Sequence, residues 1–153
     1  MALNATLGFT VDVVPDLISS YTHHDGKVAV IVLLHTKDAF TAVMAEVREF
    51  ASDLAKHIAF SAPLCLDSGD LDLASWNGHL NAHRNALARL DGSEREEAIW
   101  KIRGNFEEAN FLLQQKFVKD PSKTIGGMLD DLRASTRDPI RIVKWSRYDT
   151  RES

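Results

Sequence analysis

The chain has 153 residues, the size of one ordinary domain that buries enough surface to fold without disulfide staples. Hydrophobic residues at 44% and charged residues at 26% exclude a disordered tail. With 18 Lys+Arg against 22 Asp+Glu the formal charge is −4, which argues against a generic polyanion binder; the single cysteine, Cys65, excludes an intrachain disulfide framework and a cysteine-based zinc knuckle.

Residues 1–15 read as an N-terminal extension or an edge strand, since Gly8-Phe-Thr-Val-Asp-Val-Val14 alternates and Pro15 ends the pattern. No basic segment followed by an apolar stretch opens the chain, so no signal peptide is expected. Alternation resumes at Leu17–Thr22 and runs into His23-His24-Asp25-Gly26. Asp25-Gly26 is a hairpin signal, because the favoured two-residue turn needs positive φ at both central positions. Lys27 to Leu34 is apolar on both faces, as a covered central strand is. Its apolar part is far short of the ~20 residues of a membrane helix.

From residue 38 the period changes. Phe40, Val43, Met44, Val47, Phe50, Ala51, Leu54, Ile58 and Ala59 recur at three and four, which predicts one helix closed by Pro63 and capped by Asp38 or Thr36. After the polar loop Asp67–Asp70, a weaker helical pattern runs through Leu71, Trp76, Leu80 and Leu90 to the break at Asp91-Gly92. Ser93 with Glu96 three residues on then has the capping-box pattern, and the helix that follows carries Ile99, Trp100, Phe106 and Leu113. Two helices joined by a Gly-containing break predict a helical hairpin over about residues 70–114. Ser122 is expected to cap a short helix carrying Ile125, Met128, Leu129 and Leu132. Asp138-Pro139 reads as a breaker, and Ile140, Ile142, Trp145 and Tyr148 predict a last strand with an irregularity near Val143. This order is an α+β fold with a small, mostly antiparallel sheet.

The chemical candidates are weak. His23-His24-Asp25 sits on a hairpin shoulder without further ligands, so it reads as turn-flanking surface. His79 and His83 share a helix face, but Leu80-Asn81-Ala82 between them lacks the Glu of a zinc protease and no third ligand is evident. His57 beside the apolar stripe reads as a polar-edge residue. No Gly-x-Ser-x-Gly elbow or Gly-x-x-x-x-Gly-Lys loop is present. Arg137, Arg141, Lys144, Arg147 and Arg151 concentrate charge on the last strand, where alternation with apolar residues reads as a solvated face rather than an RNA surface. By residue chemistry alone, the chain reads as a binding module.

Four segments resemble translation elongation factor Ts. Tyr21-Thr-His-His-Asp-Gly-Lys-Val-Ala-Val-Ile-Val32 is similar to that family's Tyr-Ile-His-His, a turn, and Arg-Val-Gly-Val-Leu-Val. Glu49-Phe-Ala-Ser-Asp-Leu-Ala-Lys-His-Ile-Ala59 resembles its Asp-Ile/Leu-Ala-Met-His-Ile-Ala helix. Leu112-Leu-Gln-Gln-Lys-Phe-Val-Lys-Asp-Pro-Ser-Lys-Thr-Ile125 is similar to its Leu-Leu-x-Gln-Pro-Phe-Val-Lys-Asp-x-Ser-Lys-Thr-Val, with Lys116 in place of the Pro. Ile140–Tyr148 resembles its closing strand, Ile-x-Val-x-Arg-Phe-x-Arg-Phe. The matches keep the family's order over about residues 16–149.

The resemblance implies a three-stranded sheet packed with helices plus a protruding helical hairpin, as in the family's dimerisation domain, with residues 16–151 forming a single core. It implies a guanine-nucleotide exchange factor for elongation factor Tu that acts without cofactor, metal or covalent chemistry, and is therefore no enzyme in the ordinary sense. The expected partner is that GTPase, with a homodimer as an open possibility and with no membrane or nucleic acid. The expected location is the cytoplasm or an organellar matrix. Partner-binding residues carried over are Asp38, Phe40, His57 and Phe117. Two departures stand out. The family's N-terminal three-helix domain has no counterpart before residue 16. Its Thr-Asp-Phe-Val motif falls on Asp38-Ala39-Phe40-Thr41, so the Phe is kept and the Asp is one residue early. At about 100° per helical residue, Asp38 and Phe40 are expected to point about 200° apart, and Phe40 equally reads as the start of the apolar stripe. The alternative to exchange is a paralogue using the same fold as a structural or dimerisation module.

Overall fold

The computed structural model describes residues 14–152. The edge strand expected near residues 8–14 therefore lies, Val14 apart, outside the described residues. In chain order the elements are β1 (Leu17–Thr22), β2 (Val28–His35), α1 (Ala39–Val43), α2 (Ala45–Ser61), a 3-10 turn (Ser68–Asp70), α3 (Leu73–Ala82), α4 (Arg84–Leu87), α5 (Gly92–Asn110), β3 (Lys116–Phe117), β4 (Asp120–Thr124), α6 (Ile125–Thr136) and β5 (Arg141–Asp149). They form two compact units, one running to Ala62 and resuming at Gly127, the other Pro63–Gly126. The expected α+β class is the observed one.

In the first unit the sheet order is β1-β2-β5, antiparallel throughout, with the apolar β2 in the centre as its composition predicts. Val30, Val32, Leu33 and Leu34 have no exposed surface. The β1–β2 connection is longer than a two-residue turn. His23 N–H donates to Val28 O (2.8 Å), Gly26 N–H to His23 O (2.8 Å) and Lys27 N–H to the Asp25 carboxylate (2.9 Å). Within this loop only Gly26 needs positive φ (+69°), where a residue without Cβ is unstrained. The irregularity expected near Val143 is present: Leu33 pairs with Lys144 and Leu34 with Ile142, which leaves Val143 as a bulge.

The helix predicted from residue 40 to Pro63 is two helices. Met44 is extended (φ −63°, ψ 138°) and separates α1 from α2. Helix α2 lays Val47, Phe50, Ala51, Leu54, Ala55 and Ile58 onto β1 and β2, all six buried. It ends at Ala62, whose left-handed backbone (φ 43°) lets its N–H donate to Ile58 O before Pro63 prevents continuation.

In the second unit the helical hairpin is present, and α3 and α4 divide its first arm at His83 (φ −93°, ψ 1°). The capping box sits two residues earlier than expected. Asp91, not Ser93, accepts from Glu94 N–H (2.9 Å), and the Glu94 carboxylate accepts from Asp91 N–H (3.3 Å). A carboxylate accepts more strongly than the Ser93 hydroxyl, which itself donates to Asp91 (3.1 Å). Cys65, Phe106 and Phe111 form the buried cluster, with Leu71 and Trp76 against it. The Trp76 and Phe106 rings meet edge to face at 5.5 Å, and the Arg103 guanidinium lies 5.0 Å from the Trp76 ring centre. His79 is half-buried rather than solvated, 4.7 Å from Phe106 and 5.2 Å from the ring of His83. Among the described residues, no group of three His, Cys, Asp or Glu is placed to hold a metal ion.

Strand β3 pairs with β4 in a hairpin where the sequence pattern predicts only a helix start. Ser122 is therefore not a helix cap; its hydroxyl donates to Asp120 (2.6 Å) inside β4. Leading into α6, Ile125 N–H donates to Gln115 O (3.0 Å) and Gly126 N–H to Leu113 O (2.9 Å). A Cβ at Gly126 would lie 2.8 Å from that Leu113 carbonyl oxygen, a backbone atom that cannot swing aside. Gly126→Ala is accordingly expected to destabilise the protein by about 1–3 kcal/mol, read as a lower urea-unfolding midpoint. An unchanged midpoint would mean that the 115–126 segment relaxes freely.

Candidate functional site

An amphipathic helix normally turns its large apolar residues inward. Helix α1 does the reverse. Its buried residues are the small Thr41 and Ala42, whereas Phe40 is 81%, Val43 59% and the adjoining Met44 38% exposed. Residues 40, 43 and 44 are neighbours at helical spacing, so one short turn presents an aromatic and two aliphatic side chains to solvent. The cause is local. In an unbroken helix Phe40 and Val43 would be in phase with the Val47–Phe50–Leu54 stripe, and the extended backbone at Met44 breaks that phase. The expectation that Phe40 begins the core stripe is thereby corrected.

Asp38 is the N-cap of α1. Its backbone is extended (φ −111°, ψ 129°), and its carboxylate accepts from Phe40 N–H at 2.9 Å. The helical-wheel separation of about 200° therefore does not apply, because Asp38 is not helical. The two side chains lie on one short segment, tied by that hydrogen bond. Thr36 Oγ donates to Asp38 O (3.0 Å), which makes Thr36 a brace for the cap rather than the cap itself.

The other anticipated residues lie elsewhere. His57 is fully buried in α2, not at its polar edge. Phe117 is buried in the second unit, in β3. The structure thus brings Asp38 and Phe40 together and places His57 and Phe117 within packed interiors.

The residue that sequence patterning missed is Asp138, a chain-breaker by composition. It is 4% exposed, and its carboxylate accepts from Lys37 N–H and Asp38 N–H, both at 2.9 Å. Burial alone raises a carboxyl pKa. Here the two amides, the Thr41 hydroxyl and the neighbouring His35 outweigh burial and hold Asp138 below the usual carboxylate range. Beside α1 these groups border a polar cleft of about 440 Å³ lined by Lys37, Asp38, Ala39, Thr41, Thr136, Arg137 and Asp138. An exposed aromatic on a capped turn, next to a polar cleft with both charge signs, is suited to insertion into a protein partner.

The basic concentration on β5 is partly neutralised within the fold. Arg147 pairs with Asp149 (2.8 Å) and Glu152 (3.0 Å) and donates to Ala59 O (3.1 Å), and Arg151 pairs with Asp149 (2.8 Å). The Asp149 carboxyl is held far below the ordinary range, first by Arg151 and then by Arg147. Among the described residues no helix is long and apolar enough to cross a membrane.

The sequence model of the family described as Elongation factor TS matches residues 8–152. An elongation factor Ts from Rubrobacter xylanophilus is 30% identical over 139 residues, covering 86% of this chain and 69% of its own length. One from Frankia casuarinae is 33% identical over 149 residues, covering 90% of this chain and 71% of its own. One from Acetivibrio thermocellus is 28% identical over 139 residues, covering 89% and 64%. This chain spans about two thirds of the length of these relatives. With the family model matching nearly the whole chain, this protein belongs to the elongation factor Ts family, whose members serve translation.

Proposed function

We propose that this chain binds elongation factor Tu and promotes release of its GDP, with residues 16–151 as the functional core, working in the cytoplasm or an organellar matrix. The observation that carries the reading is Phe40, an aromatic held 81% exposed on a turn whose inward positions are filled by small residues. A monomer gains nothing from that arrangement, and a partner that buries the ring does. Exchange needs no bond-making by this protein. It needs tighter binding to the nucleotide-poor GTPase than to the GDP-loaded one, because only differential affinity displaces the equilibrium. In this reading Phe40 inserts and Asp38 keeps the turn that presents it.

Ala39 occupies the position of the family motif's acid and is exposed at the first residue of α1. Ala39→Asp restores a carboxylate at a helix N-terminus, where it is tolerated. It is expected to speed GDP release roughly fivefold, the worth of one further partly exposed polar contact. The deciding measurement is release of a fluorescent GDP analogue from elongation factor Tu with this protein at micromolar concentration, together with complex formation by gel filtration. No acceleration and no complex would overturn the reading.

One observation favours the structural alternative, an exchange-inactive module that self-associates. On the sheet face opposite α2, Ile18 and Tyr148 are 50% and 56% exposed. Sedimentation of the protein alone tests it: a dimer without exchange activity would establish that alternative.

A further inference from the structure

Little in the Phe40 segment itself holds it in place. Helix α1 is a single turn of five residues, entered from extended Asp38 and left through extended Met44. A turn of that length does not persist in water by its own hydrogen bonds. Phe40 and Val43 add little packing, being mostly exposed. Nevertheless the backbone at 37–41 has a buried anchor from a residue 100 positions away. One Asp138 oxygen takes Lys37 N–H and the other takes Asp38 N–H, and the Thr41 hydroxyl donates to the same carboxylate.

The anchor is itself rigidly delivered. Arg137 turns the chain out of α6 through left-handed backbone (φ 55°), a strained conformation for a residue with a Cβ. Thr136 Oγ accepts from Asp138 N–H (3.4 Å), Asp138 O accepts from Ile140 N–H (2.8 Å), and Arg133 Nε donates to Ile140 O (2.8 Å). Asp138 is thus fixed between the end of α6 and the start of β5.

We infer that Asp138 is the positioning residue of the Phe40 surface: by clamping the amides of Lys37 and Asp38 it sets where α1 starts and hence where the aromatic ring points. The inference rests on the proposed exchange reading for its functional consequence, and it acts through backbone that Asp138 holds rather than through contact with nucleotide. A carboxylate suits the task because both its oxygens are acceptors. An asparagine of the same shape offers one oxygen and one NH2, and the latter would face an amide donor.

The test compares the full chain with Asp138→Asn, and with Thr41→Val as a milder variant that removes one donor only. In the free protein, amide hydrogen exchange at Lys37 and Asp38 should quicken by about tenfold in Asp138→Asn, with β2 amides unchanged. Thr41→Val should move them in the same direction by less. With elongation factor Tu, Asp138→Asn should slow GDP release by about tenfold, and in a Phe40→Ala background it should add less than about twofold. Unchanged local exchange in both variants overturns the positioning role. Additive losses across the Phe40 cycle overturn it too, because a merely structural residue would act independently of Phe40. If the wild-type chain fails to accelerate release, the exchange reading has failed, and the amide measurement, which needs no partner, decides the role of Asp138 by itself.

Discussion

Replacing Phe40 with alanine is expected to slow GDP release from elongation factor Tu by about tenfold to a hundredfold, while leaving the melting temperature of the free protein unchanged. The two halves of that expectation have one cause. Burying a phenylalanine ring that water otherwise covers is worth about 1.5–3 kcal/mol, and under the proposed function the burial takes place only in the complex, because the ring is 81% exposed in the free chain. Removing it forfeits interface energy and almost no core contact, so the stability change should stay within about 0.5 kcal/mol. Fluorescent-GDP release and thermal denaturation on one preparation check both halves. A fall in melting temperature of many degrees would show that Phe40 packs against the chain, and an unchanged release rate would remove it from the interface.

The same substitution at Phe106 should have the opposite signature. Phe106 is 5% exposed and touches Trp76, His79 and Phe111, so it joins the hairpin helices to the segment that follows them. Phe106→Ala leaves a cavity among these rings and is expected to destabilise the protein by about 3–5 kcal/mol. Urea unfolding followed by tryptophan emission reads it directly, since Trp76 loses its edge-to-face neighbour. A loss below about 1 kcal/mol would mean that the cluster collapses into the gap. Together the two variants separate an aromatic that serves a partner from one that serves the fold, a distinction that residue type alone does not make.

What could be read from the sequence follows from which forces are local. The apolar run at 28–34 identifies a covered strand because both faces of β2 need apolar residues. The bulge at Val143 is legible because Ile142 and Trp145 break strict alternation. The α+β order follows from the change of period near residue 38. The break at Met44 is not legible: no Gly or Pro marks it, and Phe40 and Val43 continue the stripe in perfect phase up to the residue that turns them outward. The burial of His57 was hidden for a related reason, since a titratable ring beside a stripe resembles an edge residue until the packing around it is known. Strand β4 carries Asp120, Ser122 and Lys123, none of them apolar, so pairing with β3 leaves no hydrophobic signature. Asp138 lies about 100 residues from the amides it holds, and no periodicity spans that distance. The aromatic of the candidate site is therefore legible by resemblance, and the carboxylate that holds its turn is legible only in the fold.

The bulge at Val143 also makes the length of β5 a matter of parity. Side chains alternate along a strand, so Ile142 and Trp145, three apart, would ordinarily point in opposite directions. The inserted residue brings both to the side of Leu34 and Val32, their partners on β2, where Arg147 two residues on reaches Ala59 O in α2. Closing the bulge with Val143 kept, so that Val143 pairs with Leu34, would regularise the ladder and at the same time exchange the faces upstream, turning Ile142 outward and Arg141 toward the helix. A gain in pairing regularity would thus bury a guanidinium. Homologues that keep the count of residues between Ile140 and Trp145 should therefore keep the bulge, and those shorter by one residue there should keep the same faces without it.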